Sequence, residues 1–460
     1  MSARPGVESS LDGRSVVERA LERALRAGAS QVDAVLVVSD SKEARVRGEA
    51  IDFVKQAQER SLGIRALVAS GAGLATAITS TSDLSADAID RMAEETVALA
   101  RSIAPDPHAG LPDAASASDW PDLDLADPGD RHVAVEARIE DARRAEQAAR
   151  DFDPRITNSE GSQASSDWSR IVYGHSRGFL GDYESAHHAL FCEPLARQGD
   201  SMQRDYWMTV SRRLSELDDP ADVGRRAAER AVRRLGARRV KTAEVPVIFD
   251  SFTAPSLLGQ IASCVSGYTV YREASFLASK LGQKIAVDGV TLIDDGRRPG
   301  GLGSKPFDGE GLPTRRNVIV QDGVLKTWLL DSYSGRKLGL PSTGNASRGA
   351  GSGPGVGTTN LWLEPGALSL DEIIASTKRG LLVTELIGMG FNPTTGDYSR
   401  GASGIWIENG ELAFPVEEIT IAGNLATMLT QIDAIGSELV WRGRVASPPI
   451  RISRMTVAGE

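Results

Sequence analysis

The sequence predicts an α+β fold, and three observations predict it. Over the first hundred residues, helical periodicity alternates with short strand-like runs. From Ile156 to Leu214 the composition turns to β-type segments broken by Gly and Ser. In the C-terminal half, Asp322-Gly323 and Asn409-Gly410 each sit between apolar runs, a dipeptide signal for antiparallel hairpins.

Taken in order, Gly13 to Ala27 carries Val16, Val17, Ala20, Leu21, Ala24 and Leu25 at helical spacing. Strand-like runs follow at Asp33 to Ser39, Ala44 to Arg47, Ser61 to Val68 and Leu74 to Ser80, and then a helix over Ser85 to Ile103 with Asp83 or Ser85 as its cap. Residues 1–104 therefore read as an α+β domain. Residues 105–130, rich in Pro, Asp, Ala and Ser, read as a linker or surface loop. Residues 131–240 read as a central section: a charged helix over His132 to Asp151, consecutive antiparallel strands, and a closing helix over Pro220 to Leu235. The basic run Arg225 to Lys241 falls on that last helix, where a solvated face is expected rather than a nucleic-acid site. Residues 241–460 read as one further domain, with a strand at Val245 to Phe249 and a buried helix at Ala254 to Ser266.

The chain has 460 residues, 41% hydrophobic and 25% charged, enough for an ordinary globular core and about three structural units. Its net charge of −10 offers no basic footprint for a nucleic acid. No run approaches the length of a membrane span, no secretion signal is visible, and two cysteines are too few for a disulfide framework. The expectation is a cytoplasmic protein bound to neither membrane nor nucleic acid. All five histidines lie at or before His188, so the C-terminal half alone cannot build a His-based metal site or a Ser–His or Cys–His pair.

The remaining candidates each have a plainer alternative. The Gly-rich stretches lack phosphate-loop spacing. Ser334 and Lys337 have the spacing of a serine nucleophile with a lysine base, but a helix-surface pair is favoured. Asp294-Asp295 and Asp308 with Glu310 could share acid–base work or hold a hard cation; turn-stabilising roles are favoured. His187 and His188 would point to opposite faces of a strand. Cys264 reads as a buried small hydrophobe.

Three long strings carry a family resemblance: SGYTVYREASFLASKLGQKI (266–285), the run from Pro306 to Arg348 containing LLDSYSGRKLGLPSTGNASR, and the run from Leu381 to Leu425 containing GMGFNPTTGDYSRGASGIWIENG. SLGIRALVASGAGLATAITS (61–80) and DPHAGLPD (106–113) add to it. Together they resemble the TldD/PmbA family on its PmbA (TldE) side, across nearly the whole chain. The resemblance implies one subunit of a two-component bacterial peptidase. In such a pair the TldD-type subunit carries a zinc-binding HExxxH helix and a later Cys ligand, and the heterodimer encloses a cavity that receives unfolded peptides. Microcin maturation and antitoxin turnover are the roles it suggests.

Aligned on Leu257-Leu258, that motif places Gly259 at the first His, Gln260 at the Glu and Cys264 at the second His, and no cysteine follows Cys264. The resemblance thus implies a degenerate metal site, with no catalytic residue and no cofactor in this chain and with zinc in the TldD-type partner. The small residues Gly259, Ala262, Ser263 and Ser266 would let neighbouring backbone approach. A relocated hydrolase using Ser334/Lys337 or the N-terminal histidines, and a peptide-binding homodimer formed without the partner, are the alternatives. The pass along the chain and the resemblance together give an N-terminal α+β domain, a β-rich middle section and a C-terminal domain on a large, mostly antiparallel sheet. Segments 296–311 and 344–357, with Asn392 to Gly404, are expected as loops at the cavity or partner surface; their candidate residues are Asp308, Glu310, Asn345, Arg348, Asn392, Asp397, Tyr398 and Arg400.

Overall fold

A computed structural model describes residues 12–113 and 120–459. Its first sheet is made of β1 (Gln31–Arg47), β2 (Ala50–Ser70), β3 (Gly73–Thr81), β4 (Ile156–His175), β5 (Phe179–Gln198), β6 (Ser201–Arg204) and β7 (Trp207–Ser211). The order is β3-β2-β1-β4-β5-β6, with β7 also on β5, and every pairing is antiparallel. The sheet curls as a half-barrel. The β1–β4 ladder joins residues 1–104 to residues 131–240 in one sheet.

Four helices cover this sheet: α1 (Gly13–Arg26), α2 (Ala86–Ala100), α3 (Val135–Phe152) and α4 (Pro220–Val232). The α1 periodicity holds, with Val17, Ala20 and Ala24 packed with Ile89, Ala93 and Val97 of α2 against Ala34, Leu36, Leu62 and Ile64. Alanines of α3 and α4 pack against Ala164, Leu190 and Cys192. Asp33–Ser39 and Ala44–Arg47, expected as two strands, are one: the polar stretch between them stays paired with β2 and β4. On β2, residues 50–61 pair with β1 on one side, while β3 reaches only from Leu62 onward.

Residues 105–130 do not hang free where they are described. Asp106 pairs with Leu74, and Leu111, Leu123 and Leu125 are buried. The basic run is a solvated face only in part: Arg225, Arg226, Arg238 and Arg239 are exposed, but others turn inward. Arg230 of α4 is buried against Asp205, and Arg234 reaches Glu385 of the C-terminal domain at 2.6 Å.

The C-terminal domain holds β8 (Ala243–Phe249), β9 (Leu292–Asp295), β10 (Arg316–Gln321), β11 (Val324–Leu325), β12 (Ala346–Ser347), β13 (Gly355–Val356), β14 (Asn360–Leu363), β15 (Arg379–Ile387), β16 (Asp397–Glu408), β17 (Glu411–Asn424), β18 (Ile432–Ile435), β19 (Val445–Ala446) and β20 (Ile450–Ala458). One sheet runs β17-β16-β15-β8-β20-β18, and the β17–β20 pairing closes it into a barrel. A second runs β11-β10-β9-β14-β19. Among the strand ladders of the described residues, β8–β15 and β14–β19 are parallel and the rest antiparallel. Both hairpin signals are realised: Asp322 and Gly323 have φ of 49° and 78°, and Asn409 and Gly410 of 53° and 82°, the left-handed pairs a two-residue turn needs. Helices α5 (Ala254–Cys264), α6 (Gly267–Tyr271) and α7 (Ser332–Leu338) lie in the segments between strands. Among the described residues no helix is long and apolar enough to cross a membrane.

Candidate functional site

Helix α5 carries the three positions aligned with the metal motif, and its sequence decides which way they face. Leu257, Leu258, Ile261 and Cys264 recur at helical spacing and are buried in the C-terminal core. Gly259 and Ser263 therefore fall on the opposite, exposed side. A Cβ built on Gly259 meets nothing within 4 Å. The close backbone approach expected at Gly259 is therefore absent; Gly267 is tightly packed instead, but against side chains, where a Cβ would stand 2.4 Å from Ser334 Oγ. The Cys264 thiol lies in the core, 3.9 Å from the carbonyl oxygen of Pro393, and burial pushes it up to about 11. Gln260 contributes a neutral amide, and its Oε1 is buried with no hydrogen-bond partner.

These residues do not fit a zinc ion. A zinc site takes three or four nitrogen, thiolate or carboxylate ligands. Here one position has no side chain, one has a neutral amide, and one has a protonated thiol turned inward. Among the described residues, no three His, Cys, Asp or Glu side chains are grouped to hold a metal. The histidines are dispersed: His188 bonds Ser166 at 2.9 Å, and His175 stacks near Tyr173 and Phe179.

The loop that follows β15 packs against the end of α5. Phe276 N–H donates to the Pro393 carbonyl at 2.9 Å, beside Cys264. Asn392 and Asp397 are exposed and close this loop locally. Asn392 Oδ1 accepts from Thr394 N–H at 2.9 Å, and Asp397 Oδ2 accepts from Thr395 at 2.7 Å. Arg400 is partly exposed on β16. Tyr398 is buried with its ring edge toward Phe249, and burial raises its hydroxyl well above the usual range. Ile387 and Met389, exposed at 54% and 98%, form an apolar tip beside the loop.

The other four candidates gather elsewhere, on the seam between the C-terminal domain and the N-terminal sheet. Asp308 and Glu310 are 2% and 1% exposed, and Asn345 is equally enclosed, so none of the three can meet a partner directly. Asp308 does hold a turn, accepting from Glu310 and Leu312 N–H at 2.9 and 3.0 Å, but it also takes Ala346 N–H at 3.0 Å from another loop. Asn345 donates to Asp294 at 2.7 Å, and Thr359 N–H and hydroxyl complete that carboxylate's shell. Burial pushes Asp294 up to about 6. Asp295 faces the other way and caps a turn at Arg297.

Arg348 reaches across the seam to Asp33 of β1, which also receives Arg65 of β2 and, at 3.4 Å, the hydroxyl of Tyr173 on β4. Burial drives the Asp33 carboxyl upward, yet Arg348 and Arg65 overcome it and hold the group below the usual range. Two residues on, Ala350 lies so close that a Cβ on Gly63 would sit 1.8 Å from its carbonyl oxygen. Segment 344–357 is thus partly interdomain packing rather than a free loop. Burial, then the neighbouring Asp308 charge, pushes Glu310 up to about 7, against the pull of Arg65. Sequence reading missed Asp33, although an acid inside the apolar run VDAVLVV is a visible signal of a buried partner.

Ser334 and Lys337 do not form a nucleophile–base pair. Ser334 is fully buried at the start of α7, in a capping box with Asp331, whose Oδ1 accepts its hydroxyl at 2.5 Å. Lys337 extends over the rings of Tyr271 and Tyr333 instead.

Three family signatures match the chain: PmbA/TldA metallopeptidase domain 1 over residues 32–100, the central domain over 128–235, and the C-terminal domain over 242–459. The chain is 39% identical to metalloprotease PmbA of Escherichia coli O157:H7, covering 97% of each protein. It is 38% identical to a metalloprotease PmbA homolog of Haemophilus influenzae, over 97% of this chain and 96% of that one. Among solved structures, TldE from Thermococcus kodakarensis superposes with a TM-score of 0.86 at 25% identity, covering 96% of this chain and 99% of its own. A Bacteroides thetaiotaomicron protein reaches a TM-score of 0.90 at 27% identity, over 98% and 99%. The fold, the three consecutive domain matches and these relatives together establish that the chain belongs to the PmbA/TldD metallopeptidase family.

Proposed function

We propose that this chain is the non-catalytic, TldE-type subunit of a heterodimeric zinc peptidase that cleaves or processes unfolded peptides in the cytoplasm. The observation that carries the reading is the state of α5. Where a catalytic subunit would present two histidines and a glutamate, this helix presents Gly259 to open space, a neutral amide at Gln260 and an inward thiol at Cys264. Zinc and the chemistry it supplies belong to the TldD-type partner. This subunit completes the cavity and stabilises the partner. It also offers sheet edges, such as residues 50–61 of β2, to which an extended chain can add by main-chain hydrogen bonding.

The test is to mix the purified chain with a TldD-type subunit and follow both mass and peptide cleavage. The reading expects a stable complex by light scattering and cleavage in the mixture that exceeds either subunit alone. Two species that remain separate, or a chain that stays a homodimer and leaves the partner's activity unchanged, would sink it.

A further inference from the structure

A cleft of about 380 Å³ opens between the N-terminal sheet and the α6–α7 helices, bordering the buried seam, whose Arg65 and Glu310 help to line it. One wall is largely apolar: Leu74 and Ile78 lie on one face of β3 with Thr76 between them, and Ile103 lies beside them. The facing wall is aromatic. Tyr268 and Tyr271 sit one helical turn apart on α6, and Tyr333 comes from α7. The rings of Tyr268 and Tyr333 stack at 5.9 Å and 21°, and Tyr271 lies tilted or edge-on to them at 5.6 and 6.1 Å. Two of the rings are fixed by their hydroxyls. Tyr268 donates to Asp331 at 3.2 Å, and Tyr333 donates to Asp106 at 2.7 Å. The platform is therefore set before anything binds, which lowers the ordering cost of a ligand.

Two carboxylates line the cleft and both are already engaged, Asp106 by the Tyr333 hydroxyl at 2.7 Å and Glu310 by Ser332 N–H at 2.8 Å; the cations divide into two kinds. Arg65 is committed to Asp33, and Arg336 is committed to the carbonyl oxygens of His108, Gly110 and Leu111. Arg272 and Lys337 are different. Both are exposed; Arg272 lines the cleft and Lys337 lies over its rings Tyr271 and Tyr333, and neither makes an ion pair within 4.0 Å among the described residues, although, against burial, the Lys337 charge helps hold the Asp106 carboxyl below its usual range. They stand on the same ring: the Arg272 guanidinium lies 5.4 Å from the Tyr271 centroid and the Lys337 ammonium 6.0 Å from it. Two cations without an ion pair, both within 6.0 Å of the Tyr271 ring, and a largely apolar wall on β3 complement a ligand that ends in a carboxylate beside an apolar group.

We propose that this cleft binds the C-terminal residue of a peptide, its apolar or aromatic side chain laid on the tyrosines and its α-carboxylate held between Arg272 and Lys337. That the occupant is a peptide rests on the proposed function; the carboxylate and the apolar side chain rest on the cleft itself. In the assembled peptidase the site would anchor a free chain end.

The experiment uses the full chain alone, so that its outcome stands apart from complex formation. Fluorescence anisotropy follows dansyl-Ala-Ala-Phe with a free carboxylate, and the same peptide with a C-terminal amide. The acid should bind about tenfold more tightly than the amide, the size of a lost charge-assisted contact. The double variant Arg272→Ala/Lys337→Ala should bring the two within about twofold while its circular dichroism stays that of the parent. Tyr271→Ala should weaken acid and amide alike. Equal binding of acid and amide, a double variant that keeps the full preference, or no binding of the acid up to about 1 mM would each overturn the assignment.

Discussion

Replacing Asp33 by asparagine tests the seam that joins the two halves of the molecule. Asp33 is completely buried, and its partners Arg65 and Arg348 retain only 8% and 1% side-chain exposure. Each guanidinium–carboxylate contact of about 4 Å between charges is worth about 4 kcal/mol at an effective dielectric near 20, before desolvation is subtracted. The variant keeps the shape but removes the charge, leaving two cations enclosed side by side. Breaking a buried pair in this way costs about 3–5 kcal/mol. Equilibrium unfolding in urea should show a loss of that order. Limited proteolysis should find new cleavage in segment 344–357, because Arg348 no longer ties it to β1. Adding Arg348→Met should recover at least about 1 kcal/mol, since one orphaned charge is then gone. A loss under about 1 kcal/mol with an unchanged digestion pattern would refute the claim that this triad holds the domains together.

Three further outcomes follow from the same geometry. Glu310 is raised from its ordinary range to about 7, first by burial and then by Asp308, so its protonated form favours folding. Its contribution is full below about pH 4.5 and fades as pH climbs through about 7; urea midpoints should fall over that window in the parent and fall less in Glu310→Gln, and parallel profiles would contradict this. Cys264 and Cys192 are both buried thiols raised by desolvation, so a thiol-reactive dye at pH 8 should label the native chain slowly and both cysteines at once in denaturant. Rapid native labelling of Cys264 would mean α5 faces the other way. Gly259→Ala should stabilise the protein by about 0.5–1 kcal/mol, since the position is mid-helix and open; destabilisation in thermal melts would reveal a hidden contact there.

Much of this fold was legible from periodicity. The stripe of α1, the core face of α5 and the two left-handed hairpin turns are local signals, and each element formed where its residues placed it. Strand β1 was harder, because Ser39 to Glu43 is polar; the pairing on both sides continues where side-chain burial does not. Burial of charge was harder still. Asp308 looked like a turn residue and is one, but nothing local could say that a second loop closes over it. The tyrosine cleft depends on α6 and α7 meeting across 60 intervening residues and on β3 from the far end of the chain, so spacing alone could not assemble it. Helix α5, whose residues 254–264 include no His, Asp or Glu, was the reverse case. Missing donor atoms are visible in sequence, and the structure adds only the direction in which Gly259 and Cys264 point.

The proposed function rests on the donor set of α5, which leaves the isolated chain without a zinc site. The direct test is elemental analysis of the isolated chain after equilibration with zinc and gel filtration, beside the complex with a TldD-type subunit. The expected result is under about 0.1 zinc per isolated chain and about one per heterodimer. Stoichiometric zinc on the isolated chain, lost in Cys264→Ser and accompanied by proteolysis that a chelator stops, would contradict it.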